Sequence, residues 1–185
     1  VGILGGTGMV GQRFISLLEN HPWFEVTTIA ASPRSAGKTY EEAVGDRWKM
    51  TTPMPEAVKK LVVMNVNEVE KVAAQVDFVF SAVDMTKDEI KAIEEAYAKT
   101  ETPVVSNNSA HRWTPDVPMV VPEINPEHFQ IIEAQETGNH QRIYRCKAQL
   151  LHPELCTGSD RMEGIRALRS GSNHLSGNLR RRQDF

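Results

Sequence analysis

The sequence predicts an α/β domain in which helices cover both faces of a doubly wound, mainly parallel sheet. Short apolar runs alternate with amphipathic segments of helical period from the first residue to about Gln135. The chain also opens with an apolar run, a glycine cluster and a helical pattern in immediate succession. This is the order of a parallel βαβ unit. The 185 residues, 40% of them hydrophobic, suffice for one domain with an appendage.

Composition limits the partners of the chain. The net charge of −3 is small and balanced, which indicates no nucleic-acid partner. No run approaches the ~20 apolar residues of a membrane span, so we expect no membrane partner. Cys146 and Cys156 have the spacing of neither a zinc site nor a disulfide framework. We therefore expect no metal site and a reducing, cytoplasmic setting.

The glycine cluster predicts a dinucleotide site. Gly6, Gly8 and Gly11 fit the G-x-G-x-x-G pattern of Rossmann-type domains, with a strand before it and a helix after it. Gly6 and Gly8 permit a tight turn and a close approach of the backbone to a pyrophosphate, and Gly11 lets helix and strand pack closely. The helix points its free N–H groups at the phosphates. The alternative is an ordinary glycine-rich turn.

The first helix and the second strand follow from the residues after the glycines. The helix should run from about residue 7 to residue 19, with a buried stripe of Val10, Phe14, Leu17 and Leu18. His21 and Pro22 end it, because proline cannot continue a helix. Residues 24–31 then predict a strand.

The remaining elements follow the same patterns. Residues 39–44 are expected to form a short helical turn, and strands are expected at 61–64, 77–82, 103–106 and 119–121. Capping-box spacing predicts two helix starts, at Asn67 with Glu70 and at Thr86 with Glu89. The second of these helices should bury Ile90, Ile93 and Tyr97. A last helix should begin after Asn125, with Pro126 at its first position.

The segment after the second strand indicates which dinucleotide binds. An NAD site usually carries a carboxylate ~20 positions beyond the glycines, and residues 31–38 contain none. They contain Ser32, Arg34, Ser35 and Lys38, which suit a 2′-phosphate. This favours NADP, although a solvated basic loop is the alternative. Ser81, at the end of the fourth strand, is either a cofactor contact or a plain strand-end serine.

The polar loop 106–112 predicts an anion site at the end of the fifth strand. It supplies two amides, two hydroxyls and the guanidinium of Arg112, a bidentate partner for phosphate. Turn chemistry with a surface arginine is the alternative. His111 lies in this loop as a possible general base, but a histidine beside an arginine in a turn is better interpreted as structural.

Four segments together resemble the aspartate-semialdehyde dehydrogenase family, particularly its archaeal and fungal branch: residues 5–11, 31–38, 106–112 and 121–128. The resemblance covers roughly residues 1–135. It implies reduction of L-aspartyl 4-phosphate by NADPH to aspartate 4-semialdehyde with release of phosphate, in lysine, methionine and threonine biosynthesis. It also implies a homo-oligomer.

The resemblance assigns residues to the ligands. It implies that Thr7, Gly8, Met9 and Val10 bind the NADP phosphates. It places the 2′-phosphate on Ser32, Arg34 and Ser35, with Ser81 along the cofactor. Asn107 and Arg112 would bind the acyl phosphate or inorganic phosphate.

The last 49 residues depart from this family. Residues 1–136 contain four arginines, whereas residues 137–185 contain eight, and the family's Lys-Pro-Asn-Cys-Ser nucleophile segment is absent. Synonymous codons for 147–151, read one base forward, can encode Lys-Pro-Asn-Cys. We therefore expect a frame-shifted or mis-spliced tail, irregular or partly helical at 161–168, in place of the substrate and dimerisation domain.

The missing segment has a chemical consequence. Neither cysteine of the tail is the family's nucleophile, so no catalytic residue is assigned and little or no turnover is expected from this chain. The alternatives are a non-catalytic NADP-binding or assembly module and N-acetyl-gamma-glutamyl-phosphate reductase. The serine- and asparagine-rich loop 106–112 argues against the latter.

Overall fold

Six short strands in the described residues form one sheet in which every strand pair is parallel. They are β1 (Gly2–Leu4), β2 (Thr28–Ala31), β3 (Met64–Asn65), β4 (Val79–Ser81), β5 (Val104–Ser106) and β6 (Arg145–Cys146). Their order across the sheet is β3-β2-β1-β4-β5-β6, which is the order of a dinucleotide-binding doubly wound sheet. The predicted fold class is confirmed.

The computed structural model describes residues 1–115, 117–121, 123–131 and 145–146. All of them belong to one compact unit within residues 1–148. The domain boundary predicted after residue 136 and the helix predicted at 161–168 lie outside the described residues. Within the described part of the chain, no helix is long and apolar enough to cross a membrane.

Five α-helices are described: α1 (Met9–Leu18), α2 (Tyr40–Val44), α3 (Glu56–Lys59), α4 (Val69–Ala73) and α5 (Lys87–Lys99). Two 3₁₀ helices cover Gly45–Arg47 and Pro126–Gln130. Helix α5 begins with the predicted capping box, in which Thr86 and Glu89 satisfy each other's backbone N–H groups. Thr39 and Glu42 form a second capping box at α2.

Each face of the sheet has its own core. Successive residues of a strand point to opposite faces, so Ile3 and Leu4 of β1 enter different clusters. Leu4 packs with α4 and α5 in a cluster that includes Val72, Ile90 and Tyr97. Ile3 packs with α1, α2 and α3 in a cluster that includes Ile15, Tyr40 and Val58. Helices on both faces are the mark of the doubly wound class.

The buried stripe predicted for α1 is partly wrong. Val10 and Leu17 are exposed, the latter by 58% of its surface, whereas Gly11, Gln12 and Ile15 are buried. Phe14 and Leu18 pack against the core as predicted. The helix carries apolar residues on several of its sides. The side that packs against the sheet is the one that contains Gly11, because a residue without a side chain allows the closest approach.

The strand predicted at 119–121 is also wrong, since these residues have no regular structure. The side chain of Asn125 holds this segment instead: its Oδ1 accepts from Val121 N at 2.6 Å and its Nδ2 donates to Met119 O at 2.9 Å. The predicted last helix does begin after Asn125 with Pro126 at its start, but the Asn125 side chain does not cap it and residues 126–130 form a 3₁₀ helix.

Two smaller predictions need correction. The third strand lies at Met64–Asn65 rather than 61–64, because Val62 makes an antiparallel bridge to Thr39. The capping box predicted from Asn67 to Glu70 is absent. Asn67 N donates to the side chain of Asn65 instead, and Glu68 is the N-cap of α4.

Candidate functional site

A cleft of about 230 Å³ lies beyond the carboxyl ends of the central strands. In sheets of this order, ligands bind where the strand order reverses, which here is between β1 and β4. The cleft is lined by the residues that follow β1, β2, β3 and β4, together with one arginine: Gly5, Thr7, Gly8, Ala31, Ser32, Val66, Ala82, Val83, Asp84, Met85 and Arg47.

The glycine turn between β1 and α1 brings the helix start against the strand end. Gly5 has φ +81°, in the left-handed region that favours glycine. A Cβ added to Gly11 would lie 2.4 Å from Gly5 O and 2.6 Å from Gly6 Cα. The role assigned to Gly11, close packing of helix against strand, therefore has a direct geometric basis.

The start of α1 is suited to an anion. Gly8 is its N-cap and, in the described part of the chain, no side chain caps this helix. A Cβ added to Gly8 would meet only Gly5 O, at 3.4 Å. The free N–H groups of the first turn and the positive end of the helix dipole thus stand beside the cleft without a side chain in front of them.

Gln12 is a functional neighbour that the sequence analysis missed. Although polar, it is buried, and its Nε2 donates to Thr7 O at 3.1 Å and to Arg47 O at 3.0 Å. Its Oε1 accepts from Lys49 N at 2.9 Å. One amide thereby fixes the glycine turn to the segment that carries Arg47 into the cleft. Only the long-range partners distinguish it from an ordinary helical glutamine.

The predicted 2′-phosphate loop lies at the end of β2. Ser35 N donates to Ser32 O at 2.9 Å, which closes a turn. Ser32 and Arg34 are exposed, whereas Ser35 is buried. Ser32 lines the cleft; Arg34 and Ser35 are not among its lining residues. The structure therefore places one of the three predicted contacts in the cleft wall.

The other predicted cofactor residues are distributed around the same turn. Thr7 and Gly8 line the cleft, and Met9 and Val10 are exposed at the start of α1. Gly6 is buried beneath the turn, where its carbonyl accepts from Tyr40 Oη at 2.8 Å. Their contacts with a cofactor remain predictions.

The polar loop after β5 lies beside a small pocket of about 10 Å³. Ser106, Asn108, His111 and Arg112 contribute to its wall, together with residues 117–119. Arg112 is exposed, and its backbone N–H donates to Ser109 O at 3.2 Å. Asn107 is not part of the wall; its N–H donates to Ser81 O at 3.0 Å. The structure thus groups Arg112 with Asn108 rather than with Asn107.

Glu94 of α5 is the second residue that the sequence analysis missed. It is 0% exposed, and its Oε1 accepts from Ser81 Oγ at 2.8 Å, from Ser106 Oγ at 2.5 Å and from Asn108 Nδ2 at 3.2 Å. Its Oε2 lies 3.8 Å from Nε2 of His111. The hydroxyl of Ser81 is therefore directed at a carboxylate, and a role for Ser81 as a cofactor contact remains a prediction.

His111 is the histidine of this loop for which a structural role is predicted. It is buried, and its Nδ1 lies 3.0 Å from Thr114 Oγ1. Across the described residues, no group of three or more His, Cys, Asp or Glu side chains has an arrangement that could hold a metal ion.

Comparison with known proteins identifies relatives of this domain. Residues 1–132 match the family model described as "Semialdehyde dehydrogenase, NAD binding domain". The chain is 46% identical over 136 residues to aspartate-semialdehyde dehydrogenase of Methanothermobacter thermautotrophicus, covering 74% of this chain and 37% of that protein. It is 44% identical over 148 residues to the Saccharomyces cerevisiae enzyme, covering 80% and 37%.

A solved structure agrees with these matches. Aspartate-semialdehyde dehydrogenase with NADP from Candida albicans superimposes with a TM-score of 0.68 at 39% identity, covering 79% of this chain and 41% of that one. The chain thus spans about two fifths of the length of the relatives that it matches.

Proposed function

The chain belongs to the semialdehyde dehydrogenase family, and we propose that its Rossmann-type domain binds NADP in the cleft between β1 and β4. The observation that carries the proposal is the uncapped start of α1 beside the glycine turn. Thr7, Gly8, Met9 and Val10 would contact the phosphates there. The related structure from Candida albicans was determined with NADP.

Electrostatics supports NADP over NAD. The end of β2 carries the exposed Ser32 and Arg34 and no carboxylate, so a 2′-phosphate finds a hydroxyl donor and a cation. Asp84 lines the cleft, but it follows β4. In the sheet, β1 lies between β4 and β2, so Asp84 is not part of the segment after β2 that would hold the 2′-phosphate. Arg47, which lies in the cleft wall itself, adds a second cation to the proposed site.

Calorimetric titration with NADP⁺ and with NAD⁺ tests this proposal. NADP⁺ should bind more tightly than NAD⁺, and Arg34→Ala should raise the Kd of NADP⁺ about tenfold or more. A charge-assisted hydrogen bond contributes about 1.5–3 kcal/mol, and 1.4 kcal/mol corresponds to tenfold. Binding of NAD⁺ should not change. Arg13→Ala, at an exposed arginine of α1, is the matched control. Equal affinity of the wild type for the two dinucleotides would contradict the proposal.

We further propose that the whole protein acts as an aspartate-semialdehyde dehydrogenase, reducing L-aspartyl 4-phosphate to aspartate 4-semialdehyde. Bound NADPH supplies the hydride. Arg112, exposed at the end of β5, would pair with the phosphoryl group through its planar guanidinium, and Asn107 would add an amide donor. Both lie in the loop that follows β5. That strand is the neighbour of β4, and the residues after β4 line the cofactor cleft.

The 185-residue chain itself should show little or no turnover, because its sequence lacks the family's cysteine segment. The nucleophilic thiolate forms the acyl-enzyme in this chemistry, and no other residue is assigned to that task. Assay of the reverse reaction, with aspartate semialdehyde, phosphate and NADP⁺, tests this. Turnover comparable to that of a full-length relative would refute it. A reading of the coding DNA in all frames tests the frame-shift hypothesis separately.

Self-association of the chain is a further part of the proposal. Trp23 and Trp113 expose 81% and 90% of their surface, and exposed apolar groups favour association. Light scattering coupled to gel filtration should find a homo-oligomer. A monomer at every concentration would contradict it.

A further inference from the structure

Glu94 has an unusual position for a carboxylate. It lies on the face of α5 that also buries Ile90, Tyr97 and Ala98, where an apolar side chain would pack without loss of hydration. A buried carboxylate persists when hydrogen bonds replace its water. Three donors reach Glu94 Oε1.

These three donors come from different parts of the site edge. Ser81 ends β4, and the residues that follow it, 82–85, line the cofactor cleft. Ser106 ends β5, and Asn108 belongs to the loop that carries Arg112. Asn108 Nδ2 also lies 3.2 Å from Ser81 Oγ. A single carboxylate therefore binds the end of β4, beside the cofactor cleft, and the end of β5 with its loop, beside the small pocket.

The other oxygen of Glu94 extends this link to the far end of the loop. Oε2 lies 3.8 Å from Nε2 of His111, and Nδ1 of the same imidazole lies 3.0 Å from Thr114 Oγ1. The imidazole therefore lies between the carboxylate of Glu94 and the hydroxyl of Thr114. His111 directly precedes Arg112 in the chain, so a fixed imidazole restrains the backbone that carries the guanidinium.

We infer that Glu94 is a positioning residue that fixes the 107–112 loop, and with it Arg112, relative to the cofactor cleft. The inference rests on the proposed function, because it assumes a phosphate site on this loop. Glu94 is buried and lines neither the cofactor cleft nor the small pocket. It acts through Ser106, Asn108 and His111, whose side chains contribute to the wall of the small pocket.

Glu94→Gln in the full chain tests the inference. Glutamine has the same shape and keeps one oxygen acceptor, but it turns an NH₂ group toward His111. We expect the Kd of inorganic phosphate to rise about tenfold, while the Kd of NADP⁺ changes less than twofold. The NMR signals of the His111 imidazole should shift. Glu95→Gln, at an exposed glutamate of the same helix, should change neither Kd.

Three outcomes separate the inference from the proposed function. Unchanged phosphate affinity and unchanged His111 signals in Glu94→Gln, with the wild type binding both ligands, overturn the inference alone. A wild type that binds neither NADP⁺ nor phosphate refutes the proposed function, and the inference falls with it. If Glu94→Gln does not fold, Ser106→Ala replaces it. This variant removes one donor to the carboxylate, and its phosphate affinity should fall by severalfold; an unchanged value again overturns the inference.

Discussion

Replacing Gly11 by alanine should force α1 away from the end of β1. The new Cβ would lie 2.4 Å from Gly5 O and 2.6 Å from Gly6 Cα, whereas ordinary contacts begin near 3.4 Å. Both opposing atoms belong to the backbone of a tight turn, so no side-chain rotation relieves the clash. The helix start must move by about 1 Å.

The magnitude follows from two opposing effects. Overpacking typically costs about 1–3 kcal/mol, and backbone opponents favour the upper part of that range. Alanine in a helix is about 1 kcal/mol more favourable than glycine, which offsets part of the cost. We expect a net loss of about 1–2 kcal/mol in the free energy of unfolding. For a chain of this size, that corresponds to a Tm lower by about 2–8 °C.

Thermal melts followed by circular dichroism measure this, with Gly8→Ala as the matched control. Gly8 lies three residues earlier and has room for a Cβ, at 3.4 Å from its nearest neighbour, so its Tm should change less. Titration with NADP⁺ adds a second measurement, because the displaced helix start should weaken binding in Gly11→Ala. A Gly11→Ala variant as stable as the wild type, or as stable as Gly8→Ala, would show that the turn accommodates the added methyl group without a shift of the helix.

The further predictions concern two side chains, Thr86 and Tyr40. Thr86→Ala should cost about 1 kcal/mol in the free energy of unfolding, measured by urea denaturation, because it removes the side-chain cap of α5. The hydrogen bonds from Thr86 hold the pKa of Glu89 below its ordinary value. This stabilisation is present above the ordinary pKa and is lost as pH falls through the lowered one, so the Tm difference between wild type and Thr86→Ala should shrink from pH 7 to pH 3. Tyr40→Phe should cost about 0.5–1.5 kcal/mol, because Gly6 O loses the hydroxyl at 2.8 Å. Burial raises the pKa of Tyr40. The contribution of the neutral hydroxyl to stability is therefore present below the ordinary tyrosine pKa and is lost as the pH rises above it. Absorbance titration should find that Tyr40 does not ionise until the protein unfolds.

Each of these has its own contradicting result. If the Tm of Thr86→Ala is lower than that of the wild type by the same amount at pH 3 and pH 7, the stabilisation by Thr86 does not depend on the charge of Glu89. A Tyr40→Phe variant with unchanged urea stability would show that water replaces the hydroxyl at Gly6 O. Thr51→Ala, at an exposed threonine, is the control for the cap variant.

Local patterns predicted much of the fold. Runs of apolar residues located five of the six strands within a few residues, and the spacing of Thr86 and Glu89 predicted the start of α5. These signals are local because an apolar run and a capping box depend on neighbours three or four residues away. The strand predicted at 119–121 failed for the opposite reason. A strand needs a partner, and β5 pairs instead with Arg145–Cys146.

The side of α1 that faces the sheet could not be predicted from periodicity. Val10 and Leu17 are as apolar as Ile15, yet only Ile15 is buried. Helical spacing permits more than one apolar stripe when apolar residues occupy several sides of a helix. The contact between Gly11 and the turn at Gly5 selects one of them, and this contact exists only after β1 and α1 have packed.

The glycine turn, the cation-bearing segment after β2 and the polar loop after β5 can each be recognised without a structure, because each is a short run with its own chemistry. That Gln12 and Glu94 join these pieces is visible only after the chain has folded. On a sequence, each is one polar residue of an amphipathic helix. Their roles come from burial beside backbone and hydroxyl groups up to 37 positions away, where hydrogen bonds to protein atoms replace those lost to water.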